Sequence, residues 1–174
     1  MTDAVHKNES KDFYDNFIGQ LARMKKDAGG MAVLRRSLAY TLGAHPPAFR
    51  YVEPLLPADC YPSARLAMYL VAGLYARSPT VGNQSFASAF AGLFTASGES
   101  SSVEKRFLSC LSADEDSAED RLRAAAALLA SKELHYRYAQ LARDVEVLLN
   151  PYGNKEFVRA RWARDFYEPR RKLN

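Results

Sequence analysis

The sequence predicts an all-α protein, a compact bundle of eight or nine helices with no β-sheet. Three observations predict it. Along most of the chain apolar residues return every three to four positions, which places them on one face of a helix. Nowhere do four or more residues alternate polar and apolar with β-branched enrichment, the mark of a strand. The periodic segments are separated by glycine, proline, serine and asparagine, the residues that start and stop helices. A chain of 174 residues that is 48% apolar and 11% aromatic can bury one core but is too short for several independent domains. A single domain over 1–174 is expected, with lobes 10–97 and 98–168 dividing near the serine- and glycine-rich stretch 97–102, and a basic C-terminal tail at 169–174.

Taken in order, Ser10 is a suitable N-cap for a first helix with Phe13, Phe17, Leu21 and Met24 inward, ending at Lys25-Lys26-Asp27 before Gly29-Gly30. The second helix, 31–42, turns Met31, Leu34 and Leu38 inward and Arg35-Arg36 away; Gly43 and Pro46-Pro47 stop it. A short helical piece over 48–56 carries Phe49, Val52 and Leu56. Pro62 suits the first position of the next helix, because its fixed φ is already helical and its missing N–H would have had no partner. From 64 to 77 that helix is apolar nearly all round, so it should lie at the centre of the bundle.

The loop 78–83 ends in Gly82-Asn83, a pair seen in phosphate-binding loops, but the GxxxxGK[ST] spacing and a preceding strand are missing. Ser85 caps a helix that buries Phe86, Ala89, Phe90, Leu93 and Phe94. Ser101 and Glu104 read as a capping box opening a helix over 103–111, with Val103, Phe107 and Leu111 inward and Lys105-Arg106 beside them. Ser117 and Asp120 can start the alanine-rich helix through Ala130, whose packing residues are Leu122, Ala126 and Leu129. Residues 134–149 give a helix with Tyr138, Leu141, Val145 and Leu148 inward and Arg137 and Arg143 outward. In the last helix Val158, Trp162 and Phe166 recur every four residues, Arg159, Arg161 and Arg164 fall off that stripe, and Pro169 ends it. Trp162 is expected to be buried, although an indole can also stack on an unpaired base.

Several function classes are excluded or disfavoured. No run of about 18 uncharged apolar residues exists, and residues 1–10 are too polar for a signal peptide, so a soluble cytoplasmic protein is expected. Cys60 and Cys110 have no CxxC spacing and are expected as free, half-buried thiols; His6, His45 and His135 are scattered. Neither a metal nor any other cofactor is expected. No GxSxG, HExxH, DxD or glycine-rich nucleotide motif is present. Asp114, Glu115, Asp116, Glu119 and Asp120 could gather Mg2+, but a cation loop needs alternating ligands and a turn glycine, so a solvated acidic segment is the better reading.

What remains is charge. The net +4 is uneven: an excess of +4 over 132–174, +2 over 1–57 and +1 over 58–111, against −3 over 112–131. Basic residues repeatedly ride beside buried stripes: Lys25-Lys26, Arg35-Arg36, Lys105-Arg106, Arg121 with Arg123, Arg137, Arg143, and Arg159 with Arg161. If the bundle brings several to one face, they form a groove that attracts nucleic-acid backbone without reading bases.

Five stretches then occur in order: Ala32-Val33-Leu34-Arg35-Arg36-Ser37-Leu38, Tyr69-Leu70-Val71-Ala72-Gly73-Leu74-Tyr75-Ala76, Gly82-Asn83, Glu104-Lys105-Arg106-Phe107-Leu108 and Trp162-Ala163-Arg164-Asp165-Phe166-Tyr167. Their order and spacing, over residues 10–168, resemble CasB, the small subunit of the type I-E CRISPR surveillance complex called Cascade. The resemblance implies an all-helical, non-catalytic protein that sits in the complex as two head-to-tail copies beside the backbone subunits and the large subunit. It further implies a basic face that helps hold the target DNA opened by the crRNA guide, the displaced non-target strand of the R-loop above all, in antiviral defence. Carried onto this sequence, the implied nucleic-acid-binding positions are Arg35, Arg36, Arg106, Arg123, Lys155, Arg159 and Arg161. Lys25, Lys26, Arg121, Arg137 and Arg143 are added from the charge reading. Two alternatives remain, a pure assembly module whose arginines meet acidic neighbours and a helical Mg2+ nuclease built on the acidic cluster.

Overall fold

The helix expected to be apolar all round is the centre of the molecule: it buries twelve of its 16 residues. The structure, a computed structural model, describes the backbone of residues 2–171 and the side chains of 13–114 and 116–168. Among these residues there are nine α-helices and no strand: α1 (Thr2–Arg23), α2 (Ala28–Ser37), α3 (Pro46–Val52), α4 (Pro62–Arg77), α5 (Phe86–Ala96), α6 (Ser101–Leu111), α7 (Glu115–Ser131), α8 (Tyr138–Leu149) and α9 (Lys155–Arg171). Tight 3-10 turns follow α1 and α3. α2 and α8 pack on the central α4, α1 lies on α8, α9 lies along α5, and α6 and α7 pair with each other. The α4–α8 and α5–α9 pairs both join residues before Ser97 to residues after it. One continuous core runs from Tyr14 on α1 to Phe166 on α9.

Most of the apolar stripes fall inside as their spacing demands, while Phe13, Met24, Leu38, Leu56 and Leu111 are only partly buried and Phe49 is exposed. Phe17, Leu21, Met31, Leu34, Phe86, Phe90, Phe107, Leu122, Leu129, Leu141, Val145, Val158, Trp162 and Phe166 are all buried. A fully buried side chain of this size contributes about 1.5–3 kcal/mol by transfer from water. Close crossing is achieved with glycine: a Cβ at Gly73 of α4 would sit 2.6 Å from Leu38 Cδ2 and 3.1 Å from the Leu34 carbonyl.

Several helix ends differ from the sequence expectation. α1 begins at Thr2, upstream of Ser10, because no glycine or proline interrupts the residues before Phe13. α2 starts before Met31 because the Asp27 carboxylate accepts the Gly30 N–H at 2.8 Å and caps it. It closes at Ser37, whose hydroxyl donates to the Leu34 carbonyl at 2.7 Å, and Gly43 takes its positive φ of 72° in the turn that follows. The Ser101–Glu104 capping box is not formed; Ser100 is the N-cap of α6, and Glu104 accepts the Tyr167 hydroxyl of α9 at 2.8 Å. α7 is opened by a capping box of Asp114 and Ser117 instead of by Ser117 and Asp120. Pro169 does not end α9, which continues to Arg171; a proline removes one helical hydrogen bond, and the preceding turn is pinned by the buried Phe166. The side chains of the basic tail at 169–174 lie outside the described residues.

The largest difference is at 134–137, expected as helix. There the chain forms no helix, Arg137 is extended, and the segment pairs with the loop before α5: Gly82 N–H donates to the Tyr136 carbonyl at 3.1 Å and Arg137 N–H to the Gln84 carbonyl at 2.9 Å. This explains Gly82 without any phosphate. A Cβ there would stand 2.4 Å from the His135 carbonyl carbon and oxygen. Ser85 caps α5 as expected, accepting the Ser88 N–H at 3.1 Å, and its hydroxyl donates to Asp165 of α9 at 2.6 Å.

Two stability outcomes follow. Gly82→Ala should destabilise the chain by about 1–3 kcal/mol, the usual range for overpacking, read as a lower urea midpoint; an unchanged midpoint would show that the two loops are not in contact. Asp144→Ala removes the buried acceptor for Trp162 and Arg161 (Trp162 Nε1 donates to Asp144 Oδ2 at 2.7 Å, and Arg161 donates to Oδ1). It should cost about 3 kcal/mol, since breaking a buried pair strands its partner, and a midpoint within error of the parent would refute the tie.

Candidate nucleic-acid interface

The cations that flank the buried stripes divide into two groups by what surrounds them. Lys25 and Lys26 in the turn after α1, Arg35 and Arg36 at the end of α2, Arg106 on α6 and Arg137 just before α8 are exposed. Arg35 also donates its Nε to the Ala76 carbonyl at 3.2 Å, one of the terminal carbonyls of α4 that has no helical donor. The rest of its guanidinium still carries donors in a fixed fork.

Arg121, Arg123, Arg143, Arg159 and Arg161 are half-buried, although their spacing put them on solvated faces. Arg121 donates to the Ser109 carbonyl at 2.7 Å and the Ser112 hydroxyl at 3.1 Å. Arg123 pairs with Glu119, lies 3.5 Å from Asp120 and donates to the Tyr40 carbonyl; burial pulls its guanidinium below the ordinary value. Arg143 pairs with Asp15 at 2.7 Å and lies 5.3 Å from the centre of the Tyr14 ring. Arg159 pairs with Glu156 at 2.6 Å and donates to the Ala113 carbonyl at 2.7 Å. Arg161 pairs with Asp144 and lies 5.8 Å from the Phe157 ring centre. Lys155 is half-buried at the start of α9.

Three depressions gather some of these residues, Arg123 and Lys155 not among them. A cleft of about 580 Å³ between α1, the 81–83 loop and the start of α8 brings together Arg137, Arg143 and Arg161, with Asp15 and Asp144 as the opposing charges. A more open groove of about 700 Å³ between α6 and α9 is lined by Lys105, Arg159 and Glu156 over a floor that includes Leu111, Ala160 and Ala163. A smaller depression of about 260 Å³ holds Arg106, Arg121 and Asp120, and Ser109 borders both it and the groove. Lys25, Lys26, Arg35 and Arg36 line none of the three. Among the described residues the cations are thus distributed over several surfaces, and none of these three depressions takes them all.

The sequence reading missed Asp144, which is 4% exposed. Burial pushes its carboxyl above the ordinary 3.8, while the bonds from Trp162 and Arg161 pull the other way. Trp162 is buried, as its stripe implied, at 1% exposure, and its ring meets Phe86 at 5.4 Å. Also missed were Tyr152, in the turn between α8 and α9, and Phe157, in the first turn of α9, both large aromatics on the surface. In the acidic segment, Asp114 serves as the α7 N-cap, its carboxyl lowered chiefly by the Ser117 hydrogen bonds, and Glu119 is taken by Arg123. Cys60 is half-buried and Cys110 fully buried; burial raises the Cys110 thiol to about 12, so it is inert at neutral pH. Among the described residues no group of three or more His, Cys, Asp and Glu is placed to hold a metal ion, and no helix is long and apolar enough to cross a membrane.

The two groups of cations should separate by mutation. Arg123→Ala leaves Glu119 and the Tyr40 carbonyl without their donor and should lower stability by about 1–3 kcal/mol. Arg36→Ala, at an exposed helix end, should stay within about 0.5 kcal/mol of the parent. Urea titration of the pair checks this, and equal midpoints would dissolve the distinction.

Comparison with known proteins matches this chain to a family. The model of the CRISPR-associated protein Cse2 family matches residues 30–167. The CRISPR-associated protein Cse2 of Thermus thermophilus is 40% identical over 154 residues, which cover 87% of this chain and 86% of that protein. The crystal structure of CasB from Thermus thermophilus, 37% identical, covers 89% of this chain and 97% of its own with a TM-score of 0.76. A chain of a CRISPR RNA-guided surveillance complex has the same fold at 19% identity, with a TM-score of 0.79 over 94% of this chain and 96% of that one. A helical bundle matched over nearly its whole length, in sequence and in fold, belongs to the CRISPR-associated Cse2 family, whose structures also carry the name CasB.

Proposed function

We propose that this chain is a non-catalytic small subunit of a type I-E CRISPR surveillance complex, Cascade, and that it stabilises the DNA strands opened by the guide RNA, the displaced non-target strand above all. Its partners are the backbone and large subunits, a second copy of itself and the guide-bound target DNA. Membership of the Cse2 family and the shared fold with a chain of an RNA-guided surveillance complex support the assignment to the complex. The observation that carries the DNA role is the exposure of Lys25, Lys26, Arg35, Arg36, Arg106 and Arg137 on separate elements of a chain with a pI near 9.1. In such a machine base pairing with the guide reads the sequence, so the protein needs only to hold backbone charge. Exposed guanidinium and ammonium groups do that by displacing counterions from phosphates.

Binding by the isolated chain should be weak, indifferent to sequence and steeply salt-dependent. Replacing both Arg35 and Arg36 with alanine should lower the log–log salt slope by roughly 0.7–0.9 for each phosphate that is no longer neutralised, while loss of the Arg35–Ala76 hydrogen bond lowers stability by only about 1 kcal/mol and leaves the chain folded. Unchanged affinity and slope would remove the DNA-binding role.

The competing reading, an assembly module without DNA contact, draws on the five half-buried arginines already engaged inside the fold and on the exposed Asp116 and Asp120. It predicts no DNA binding at all, and loss of co-purification with the other subunits when Asp116 is changed to lysine.

A further inference from the structure

We infer that the turn between α8 and α9, together with the first turn of α9, is a stacking platform for unpaired bases of single-stranded nucleic acid, with Tyr152 and Phe157 as the stacking side chains. This rests on the DNA-binding role proposed above and specifies which form of the strand one part of the surface takes.

The first ground is exposure. Tyr152 is 97% and Phe157 58% exposed, whereas Trp162 and Phe166 of the adjoining helix are buried. An aromatic ring left in water forgoes the stabilisation that burial would bring, about 25 cal/mol for each Å² of apolar surface. Tyr152 in the turn and Phe157 in the first turn of α9 thus offer ring faces that the core does not take up, five positions apart in the chain.

The second ground is presentation. The Asn150 side chain accepts the Tyr152 N–H at 3.0 Å, and the Asn150 carbonyl accepts the Gly153 N–H at 3.0 Å. Gly153 is packed so tightly that a Cβ would stand 2.3 Å from the Val147 carbonyl oxygen. The Asn154 side chain accepts the Phe157 N–H at 3.1 Å, holding the first turn of α9. The backbone bearing both rings is thus ordered before any ligand arrives, which lowers the entropy lost on binding.

The third ground is charge. Phe157 is followed by Arg159 and Arg161, and Lys155 lies between the two aromatics. The Arg161 guanidinium, 5.8 Å from the Phe157 ring centre, also lines the cleft that holds Arg137 and Arg143. Arg161 therefore borders both the Phe157 ring and the cleft, where Arg143 and Arg161 are paired with Asp15 and Asp144 and Arg137 is exposed, so that bases can lie on rings while the phosphates of the same strand run past Arg137. That combination of π-faces and cations binds single strands without base preference, because every base has a face to stack. A hydrophobic protein partner would need a contiguous apolar patch; here the exposed neighbours are Pro151, Asn154 and Glu156.

The test compares a labelled oligothymidine with an abasic oligonucleotide of the same length, which keeps the phosphates and lacks the bases. The intact strand should bind the full chain about tenfold more tightly, within the range of aromatic–base stacking. Tyr152→Ala and Phe157→Ala should each erase most of that preference with no change in thermal stability, and Tyr152→Phe should retain it. The double Arg35→Ala, Arg36→Ala variant should weaken both oligonucleotides alike. Equal binding of intact and abasic strands overturns the platform and leaves DNA binding standing, while binding of neither overturns both. Alanine variants that keep the base preference but fail to co-purify with the other subunits would make the rings protein contacts and overturn the platform as well.

Discussion

A single buried carboxylate fixes how the last helix meets the bundle. Asp144 lies on α8 among apolar neighbours, and its two oxygens receive the Trp162 indole N–H and the Arg161 guanidinium from α9. A carboxylate without such donors would be very costly at that depth. With them it sets rotation: turning α9 by one residue, about 100°, would aim the indole N–H into hydrocarbon and leave Asp144 unpaired. Once that angle is fixed, Phe166 stacks on Phe107 at 4.1 Å and nearly parallel, and Trp162 meets Phe86. Tyr167 and Asp165 reach Glu104 of α6 and Ser85 at the start of α5. Apolar area supplies most of the energy of docking, and the polar tie supplies its specificity.

The arginines follow a second rule that charge counting does not show. Arg35, Arg121, Arg123 and Arg159 each donate to a carbonyl at or just beyond the C-terminal end of another helix: Ala76 of α4, Ser109 of α6, Tyr40 after α2 and Ala113 after α6. The last four carbonyls of a helix lack an intrahelical donor, as at Ala76 and Ser109, while Tyr40 and Ala113 lie in the loops just after α2 and α6, where a long cationic side chain meets the negative end of the dipole. A basic residue in this bundle is therefore often a cross-link first. Because a guanidinium has five N–H donors, one bond to a carbonyl does not exhaust it, and Arg35 remains exposed while making its own. Arg123, already facing Glu119, Asp120 and the Tyr40 carbonyl, has much less left to offer.

The parts of the fold that are legible in the sequence are those set by local period. The stripes Phe86–Phe90–Phe94 and Val158–Trp162–Phe166, the apolar circumference of α4, the Pro62 start and the Ser85 cap all depend on residues within two turns of each other. What the sequence hides depends on partners far along the chain. Ser101 and Glu104 have the spacing of a capping box, yet Glu104 is claimed by Tyr167, 63 positions away. Residues 134–137 can form a helix, yet their backbone groups are taken by the loop at 82–84. Asp144 was within reach: it sits three residues after Leu141 and four before Leu148, on the inward stripe of α8, and an acid in that position requires a buried donor. For the candidate interface, spacing identifies which residues are cationic and off-stripe, but it cannot say which of them meet another helix. Arg143 and Arg161 look as solvated as Arg137 until α1, α8 and α9 are assembled around them.

The fate of Trp162 bears on where stacking can occur. A helix offers each face once, and on α9 the face of the chain's one tryptophan is committed to Phe86 and Asp144. Any ring available to a base must lie off that stripe or outside the helix. Phe157 precedes Val158 by one position, about 100° round the axis, and Tyr152 lies in the turn before the helix begins. Both are therefore outside the region that burial claims, and the capping that starts α9 holds them in place. The same geometry keeps the Arg161 guanidinium 5.8 Å from the Phe157 ring centre, with Lys155 and Arg159 on the first turns of the same helix. Burial of the stripe is what pushes aromatic and cationic groups together at the N-terminal end of α9, so the docking of the helix and the proposed grip on a single strand share one structural cause.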